Sequence, residues 1–564
     1  MTMATALSTT QGFAPPGKGA WELDQTHFPR ALPRINADLL PGTFCRGFAE
    51  GTKLHGLLLD YLDYRSIDGF MYSQPRVVGA PPGAKTPPKF ILRLLLALHP
   101  KMRERVAISR RLQEERPWRK DYDLWEAETK PAHVRAHLAL QAIDPAALDD
   151  AGLAKYIAAC HEHLGRMLYW HGRLTISAFL PSGDLIAACT EWADVPPGKV
   201  LQALRGSSPI SAGDSPELRA LAAALRTSQA GRALLQSNDT PEVVLTRLGN
   251  EPGAIGETAR RYFELFGYRV ISGYDIGEPY GLEVPQILLE GIRHAAGDEK
   301  TARRAEADAA VLASVRDAIP AAHHNEFDRL LAEARTMSPL RDERVLYCDV
   351  WASGILRRAL LEAGRRLVAG GRLEQPRHAV EASFEEIQSL LAGGTTPGAT
   401  ELAERARRRA TAQAPATLGG EPGAPPPPEW LPLPLRWGQR TTFAVINSLF
   451  GVSAAKHEER RLTGIPVSGG IYEGPARVVN DPRDLDRIRR GDVLIARSTS
   501  PAYNMILPLL GAIVTDRGGA LCHAAIVTRE FGIPGVVGTR EATQRIETGA
   551  RVRVNGNDGT VSLL

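Results

Sequence analysis

The sequence predicts a multi-domain protein, with a large, mainly α-helical region followed by a compact β/α domain. Three observations predict it. From residue 21 to about 410, apolar residues recur at helical spacing. From Gly419 to Pro434 the composition turns to proline and glycine, with consecutive prolines from Pro425 to Pro428. From residue 461 onward, short apolar runs are separated by glycine turns, the pattern of strands.

The elements follow in order. Residues 1–20 are small and polar with scattered glycines, and are expected to form a flexible tail. Residues 21–415 form the helical domain. Within it, Leu153–Arg173 has apolar residues at helical spacing. Tyr347–Gly370 presents Trp351, Ile355, Leu356, Ala359, Leu360 and Ala363 on one face and ends at Gly370-Gly371. Residues 416–460 are a semi-rigid linker and connecting segment. Residues 461–564 are the compact domain, about 100 residues and thus of ordinary domain size. Its opening strands lie in Gly464–Gly470 and Gly474–Val479. Asp492–Ala496 and Gly511–Thr515 read as further strands. Arg551–Asn555 and Gly559–Leu564 close the domain as a hairpin around Gly556-Asn557-Asp558. No internal repeat occurs.

Composition excludes several classes. The net charge of +4 over 564 residues is weak, and no dense basic patch interleaved with aromatics suggests nucleic acid. The run Arg405, Arg407, Arg408 and Arg409 follows Glu401 and Glu404. Glu401 and Arg405 stand four apart, so this reads as a solvated helix face with an ion pair. The 5 cysteines are scattered without a Cys-x-x-Cys pair, against both a disulfide framework and a zinc site. No basic-then-apolar leader pattern occurs at the start. The apolar stretch Phe90–Leu98 is short and interrupted by Arg93, so no membrane span is expected. A cytoplasmic location is the simplest expectation.

One histidine carries the most chemical information. After the apolar run Gly511–Thr515, the pair Gly518-Gly519 breaks the chain, and a helix is predicted from about Ala524 to Phe531. Gly532 is its stop, with Pro534 beyond. His523 therefore lies at the mouth of a helix, where free backbone N–H groups and the positive helix end favour an anion. A neutral imidazole there is suited to taking up and releasing a phosphoryl group. A lone histidine more often caps a helix or sits in a core. Here the surroundings decide: Gly-Gly-x-x-x-His-Ala-Ala-Ile-Val-x-Arg-Glu-x-Gly-Ile-Pro over residues 518–534 resembles the phosphohistidine swivelling domain of the PEP-utilising enzymes. That family includes PEP synthase, pyruvate phosphate dikinase, rifampicin phosphotransferase and phenylphosphate synthase.

The resemblance has departures. Dikinases of the family often carry a threonine two residues before the histidine, and in some it is a regulatory phosphorylation site. Here Leu521 stands there, without a hydroxyl. Cys522 matches PEP synthase-like members and reads as a small buried hydrophobe. The chain ends where the swivelling domain closes, so no PEP/pyruvate barrel is expected. Neither a Walker motif nor an ATP-grasp glycine loop with a lysine-bearing strand is found before the linker. The expectation is that a separate ATP-grasp subunit binds ATP and Mg²⁺, and that this chain binds neither cofactor nor metal.

The helical region resembles the substrate domain of rifampicin phosphotransferase-like and phenylphosphate synthase-like proteins. The similar segments are Trp21-Glu22-Leu23-Asp24-x-x-His27-Phe28-Pro29-Arg30, Phe266-Gly267-Tyr268-Arg269 and Trp351–Arg366. The resemblance implies a phosphotransferase subunit that charges His523 with the β-phosphoryl group of ATP. The swivelling domain then carries it to the hydroxyl of a phenol or related aromatic compound. A rifampicin phosphotransferase-like activity on another hydroxyl compound, or a non-catalytic phosphocarrier, is the alternative.

Phosphoryl transfer requires in-line positioning and charge stabilisation. Gly518, Gly519, Arg529, Arg517 and Thr515 are the phosphate-binding candidates. Surface ion pairs are the alternative for the arginines. Thr515 and the run Ser498-Thr499-Ser500 read equally as turn residues. For the acceptor, His27 is the first candidate base and His171 the second. Tyr169, Trp170 and Arg173 stand beside His171 as substrate-binding candidates, together with Tyr274 and Asp275. A turn cap is the alternative for His27 and Asp275, and a core position for Tyr169 and Trp170. A phenol, with a pKa of about 10, would need only a weak base.

Overall fold

The computed structural model describes residues 13–28, 30–208, 215–271, 274–297, 301–421, 423–450, 460–479, 487–499, 503 and 506–564. Pro29 and Ser500, and residues 1–12 of the expected tail, lie outside them.

From the N-terminus, strand β1 (Trp21–Leu23) is followed by helix α1 (Leu39–Leu54) and the strands β2 (Leu59–Ile67) and β3 (Phe70–Val77). Helices α2 (Lys89–Leu98), α3 (Pro100–Glu115), α4 (Asp150–Ala193), α5 (His324–Leu346) and α6 (Asp349–Ala369) come next, with shorter helices between them. Strand β4 (Thr417–Leu418) and helix α7 (Leu433–Phe450) lead into the C-terminal part. There the strands β5 (Arg461–Thr463), β6 (Ile465–Ser468), β7 (Ile471–Val479), β8 (Asp492–Ala496) and β9 (Leu510–Thr515) precede helix α8 (His523–Phe531). Strands β10 (Gly535–Val537), β11 (Arg551–Asn555) and β12 (Thr560–Leu563) follow it. A large helical region followed by a strand-rich C-terminal domain is thus the architecture the sequence predicts.

The chain forms two compact units. One takes Met1–Pro117, Asp144–Arg173 and Arg357–Gln439; the other takes Trp118–Ile143, Leu174–Leu356 and Arg440–Leu564. Helices α4 and α6 each contribute residues to both.

In the first unit, an antiparallel sheet runs β2-β3-β1-β4. The motif strand Trp21–Leu23 therefore lies in a sheet inside a region whose spacing predicts helices. Asp68 and Gly69 both have positive φ at the β2–β3 turn, as a tight hairpin requires. The expected loose tail is docked over residues 13–20. Gln74 Nε2 donates to the carbonyls of Lys18 at 3.2 Å and Ala20 at 2.7 Å. Trp21 Nε1 donates to Gly17 O, and the Phe13 ring lies 5.9 Å from that of Phe70. These aromatic and amide contacts outweigh the tail's polar composition. The connecting segment is also more ordered than expected, since β4 pairs with β1 and residues 433–450 are helical. Among the basic residues of 405–409, Arg405 pairs with Glu401 at 2.6 Å and also with Glu386 at 2.7 Å.

Helices α1 and α4 approach closely in this unit because glycines face the crossing. A Cβ at Gly172 would meet Phe44 O at 2.3 Å, and one at Gly47 would meet Tyr169 O at 2.0 Å. The crossing sets Phe44 of α1 against His171 of α4, with ring centroids 5.6 Å apart.

In the second unit, the eight-stranded sheet has the order β5-β12-β11-β7-β8-β9-β10-β6. Neighbours in the run β7-β8-β9-β10 are parallel and the remaining pairs antiparallel. Strands β8 and β9 are buried on both faces, which explains their continuous apolar sequences. Val493, Ile495, Ala512 and Val514 face one core. Leu494, Ala496 and Ile513 face another, shared with Ala524, Ala525 and Val527 of α8 and with Phe327, Leu330 and Ala334 of α5. Each valine, leucine, isoleucine or phenylalanine among them contributes about 1.5–3 kcal/mol on full burial. Helix α8 connects the adjacent parallel strands β9 and β10, a βαβ unit. It ends at Gly532, in the left-handed conformation.

Gly172→Ala is expected to overpack the α1–α4 crossing and cost about 1–3 kcal/mol. Urea denaturation checks this, and an unchanged midpoint would contradict the close approach.

Candidate functional site

The site in the second unit arises where two adjacent parallel strands end. Ligands of open α/β sheets bind beyond the carboxyl ends of such strands. Past β8 the chain reaches Thr499, and past β9 it reaches His523. The ladder runs on beyond the strands: Asp516 N–H donates to Ala496 O and Arg517 N–H to Arg497 O, both at 3.0 Å. The two loops therefore stay in register, and Thr499 Oγ1 stands 2.9 Å from His523 Nδ1. The hydroxyl that the sequence left open as a turn residue thus contacts the histidine.

His523 is the first residue of α8, and Cys522 is the N-cap, without a side-chain cap bond. Burial pushes the imidazole down to about 3; Asp342 opposes the shift and Arg341 adds to it. The ring is therefore neutral at pH 7. Arg341 and Asp342 belong to α5 and pair through two bonds, Nε–Oδ1 at 2.9 Å and Nη2–Oδ2 at 3.1 Å. Neither stands out in the sequence, where they resemble any other charged pair in a helix.

The phosphate-binding candidates fare differently. Gly518 has φ +108°, and a Cβ there would meet Cys522 Sγ at 2.5 Å. Glycine is thus required at the turn that aims the histidine. The N–H groups of Gly519 and Leu521, just before the helix mouth, are already engaged. Gly519 N–H donates to Leu449 O at 2.9 Å and Leu521 N–H to Ser448 O at 2.7 Å, both carbonyls at the end of α7. Thr515 is buried, and its hydroxyl donates to Arg517 O at 2.8 Å, holding the turn. Arg529 is buried on α8. Burial brings its guanidinium down to about 10, with Arg341 acting in the same sense, so it stays cationic at neutral pH. Arg517 is half-buried, and burial and Arg497 lower it. Cys522 is buried with its thiol pushed up, as a small core residue would be.

Tyr274 and Asp275 lie in the same unit. Asp275 accepts the Gly277 N–H at 2.7 Å and so organises its own turn. Tyr274 packs beside Val270, Val345, Leu346 and Val350 and influences Arg344 on α5. Arg269, from the Phe-Gly-Tyr-Arg segment, is buried with its guanidinium over the rings of Phe266, Tyr347 and Trp351, at 4.1, 4.8 and 5.1 Å.

The remaining candidates lie in the first unit, where His27 and His171 join one cluster. His27 Nδ1 contacts Asp24 Oδ2 at 2.9 Å, and Tyr64 Oη donates to the same oxygen at 2.6 Å. The Phe44 ring lies 5.9 Å from that of Tyr64 and 5.6 Å from that of His171. Burial alone would raise Asp24, but the His27 ring and the bonds from His27 and Tyr64 outweigh it, so its carboxyl is held below the usual range. It is Asp24 that caps the local turn, accepting the His27 N–H at 3.1 Å. The Asp-x-x-His spacing signals this pair, and Asp24 is the member that the sequence reading omitted. Next to His171, Tyr169 Oη donates to Glu50 Oε2 at 2.5 Å, and Arg46 lies over its ring. Trp170 meets Tyr169 edge-on, and Arg173 lowers the Tyr169 phenol against the burial that raises it.

Asp342 and Arg341 are the charged groups that act on His523, and the buried Glu530 interacts with both of them and with Arg529. Among the described residues, no three His, Cys, Asp or Glu side chains gather as a metal site. No helix among them is long and apolar enough to cross a membrane.

Residues 488–559 match the family described as PEP-utilising enzyme, mobile domain, and residues 173–342 match the rifampicin phosphotransferase fourth domain. The chain carries a PEP-utilising mobile domain. An uncharacterized phosphotransferase of Bacillus subtilis, YvkC, is 27% identical over 345 residues, 58% of this chain and 39% of the relative. A rifampicin phosphotransferase of a Streptomyces species is 30% identical over 378 residues, 60% of this chain and 40% of the relative. The phosphoenolpyruvate synthase of Pyrococcus furiosus is 45% identical over 100 residues, 18% of this chain and 12% of that protein. The chain therefore spans about two fifths of the length of the first two relatives. The mobile-domain match contains His523, and the fourth-domain match contains Arg341 and Asp342.

The pH behaviour of His523 follows from its burial. Its ordinary value is 6.5 and its folded value about 3. Between the two, an unfolded chain binds the extra proton, so the contribution to stability is complete above about pH 6.5 and is lost as pH falls toward 3. NMR titration is expected to show no inflection for His523 between pH 8 and 5, and one near 6.5 would contradict the burial argument. His523→Gln is expected to lose less stability than the wild type between pH 7.5 and 5, measured by urea midpoints.

Proposed function

We propose that the chain is a phosphotransferase of the PEP-utilising type. It takes a phosphoryl group from ATP onto His523 and delivers it to the hydroxyl of a phenol or related aromatic compound. A separate polypeptide supplies the ATP-grasp activity and binds ATP with Mg²⁺. The observation that carries this reading is the neutral, desolvated imidazole of His523 at a helix mouth, with Nδ1 held by Thr499.

The chemistry follows from that contact. If Nδ1–H donates to Thr499 Oγ1, the lone pair lies on Nε2. Nε2 then forms the bond to the β-phosphorus as its bond to the α-phosphate oxygen breaks and AMP leaves, and water cleaves off the γ-phosphate as inorganic phosphate, leaving the β-phosphoryl group on the histidine. The phosphoryl group adds nearly two negative charges. Arg529 and Arg341 are the cations suited to offset them, and Asp342 positions Arg341 through its paired bonds. In the second step the acceptor oxygen attacks phosphorus, the N–P bond breaks, and the hydroxyl proton passes to His27. Asp24 orients that ring and offers a counter-charge to the proton. His171, Tyr169, Trp170 and Arg173 complete the acceptor side of this reading.

A rifampicin-like hydroxyl acceptor is the second reading. It is favoured by the match of residues 173–342 to the rifampicin phosphotransferase fourth domain.

Transfer from β-labelled ATP tests both, using this chain, an ATP-grasp polypeptide, a panel of phenols and rifampicin. Label on the wild type, absent from His523→Ala and discharged by a phenol, is the expected result. Discharge by rifampicin alone would favour the second reading, and no label with a competent partner would remove the phosphohistidine mechanism. His27→Asn is expected to leave labelling intact and slow discharge by about 10²–10⁴-fold. Unchanged discharge would exclude His27 as the base.

A further inference from the structure

Helix α8 buries a carboxylate near its end. Glu530 is 6% exposed. Burial raises its carboxyl, and Asp342 acts in the same sense, while the Gly206 N–H, Arg341 and Arg529 act against both. Glu530 Oε2 accepts that N–H at 3.0 Å, from a residue 324 positions earlier in the chain. Gly206 falls in the match to the rifampicin phosphotransferase fourth domain, and Glu530 in the match to the mobile domain. The bond therefore crosses from one domain type to another inside the second unit.

The neighbours of both residues meet as well. Gly532, at the end of α8, faces Arg205: a Cβ there would lie 2.8 Å from Arg205 Nη2. A cation beside the last turn complements the negative end of the helix dipole. Gly206 follows the short helix Pro197–Gln202, and a Cβ on Gly198 of that helix would come within 3.0 Å of Pro466 O in β6. The receiving loop is itself anchored. Arg335 of α5 donates to Ala203 O through Nε at 2.9 Å and Nη2 at 2.8 Å. The same helix carries Arg341 and Asp342, the pair that acts on His523.

Apolar side chains fill the rest of the contact: Val200, Leu201 and Leu204 share a core with Val467, Ala524 and Val527. Apolar burial is non-directional, so it favours the contact without fixing how α8 is turned within it. A buried carboxylate is costly unless its partner is present, and Glu530 has the Gly206 N–H only in this seating.

We propose that Glu530 is a positioning residue: its bond to Gly206 fixes the seating of the mobile domain that sets His523 against the Arg341–Asp342 pair. Without the bond, His523 leaves its desolvated setting. The proposal depends on neither the donor nor the acceptor of the phosphoryl group.

The test uses the full-length, uncharged chain, with no nucleotide and no second polypeptide. NMR titration of the His523 imidazole reads the seating, because a value near 3 in place of 6.5 comes from burial. Glu530→Ala is expected to bring an inflection into the window between pH 5 and 8. Glu530→Gln keeps an oxygen for the Gly206 N–H and is expected to titrate like the wild type. No inflection in that window for Glu530→Ala would overturn the proposal. So would an equal shift in both variants, since the charge of Glu530 rather than its bond to Gly206 would then hold the seat. Amide exchange at Gly206 in the wild type carries the test without any substitution, should Glu530→Ala fail to fold. That amide is expected to exchange about tenfold to a hundredfold more slowly than an unbonded one, and exchange at the unprotected rate would overturn the proposal.

Discussion

Desolvation of one imidazole is the constraint on which the rest of this structure turns. An imidazole acts as a base or nucleophile only while it keeps its lone pair, and at His523 desolvation penalises the proton that would occupy it. That burial requires walls. The parallel strands β8 and β9 provide the floor, and α8 with the apolar residues of the helical part provides the sides. The strands end together and remain in register past their ends, so a threonine from one loop meets a histidine from the other.

The second unit sets its histidine against an Arg341–Asp342 pair, whereas the first unit pairs a histidine directly with a carboxylate. Asp24 is buried beside His27 and held ionised by it and by Tyr64. The two histidines thus sit in different electrostatic settings.

Much of the C-terminal fold was legible because its signals are local. The β-branched run Ile513–Thr515, the turn glycine Gly518 and the helix stop Gly532 each answer to a dihedral or a periodicity within a few residues. The same holds for α6, whose apolar face was read directly from Trp351 to Ala363. What escaped depends on partners distant in sequence. Strand β1 pairs with Thr417–Leu418, and no window of sequence contains both. The β2–β3 hairpin had a local cue in Asp68-Gly69, but the helical spacing around it dominated the reading. Asp24 was in view within the Trp-Glu-Leu-Asp segment, and only its contact with His27 reveals its role. Arg341 and Asp342 become notable solely through the packing of α5 beside α8.

The end of α7 holds the histidine loop through main-chain atoms alone, with the carbonyls of Ser448 and Leu449 receiving the N–H groups of Leu521 and Gly519. Every amino acid brings the same carbonyl to those positions, and every one except proline brings the same N–H. The clasp can therefore persist while the residues at 448, 449, 519 and 521 drift, leaving no signature in an alignment of relatives. Only a shift in helix register, or a proline at 519 or 521, undoes it.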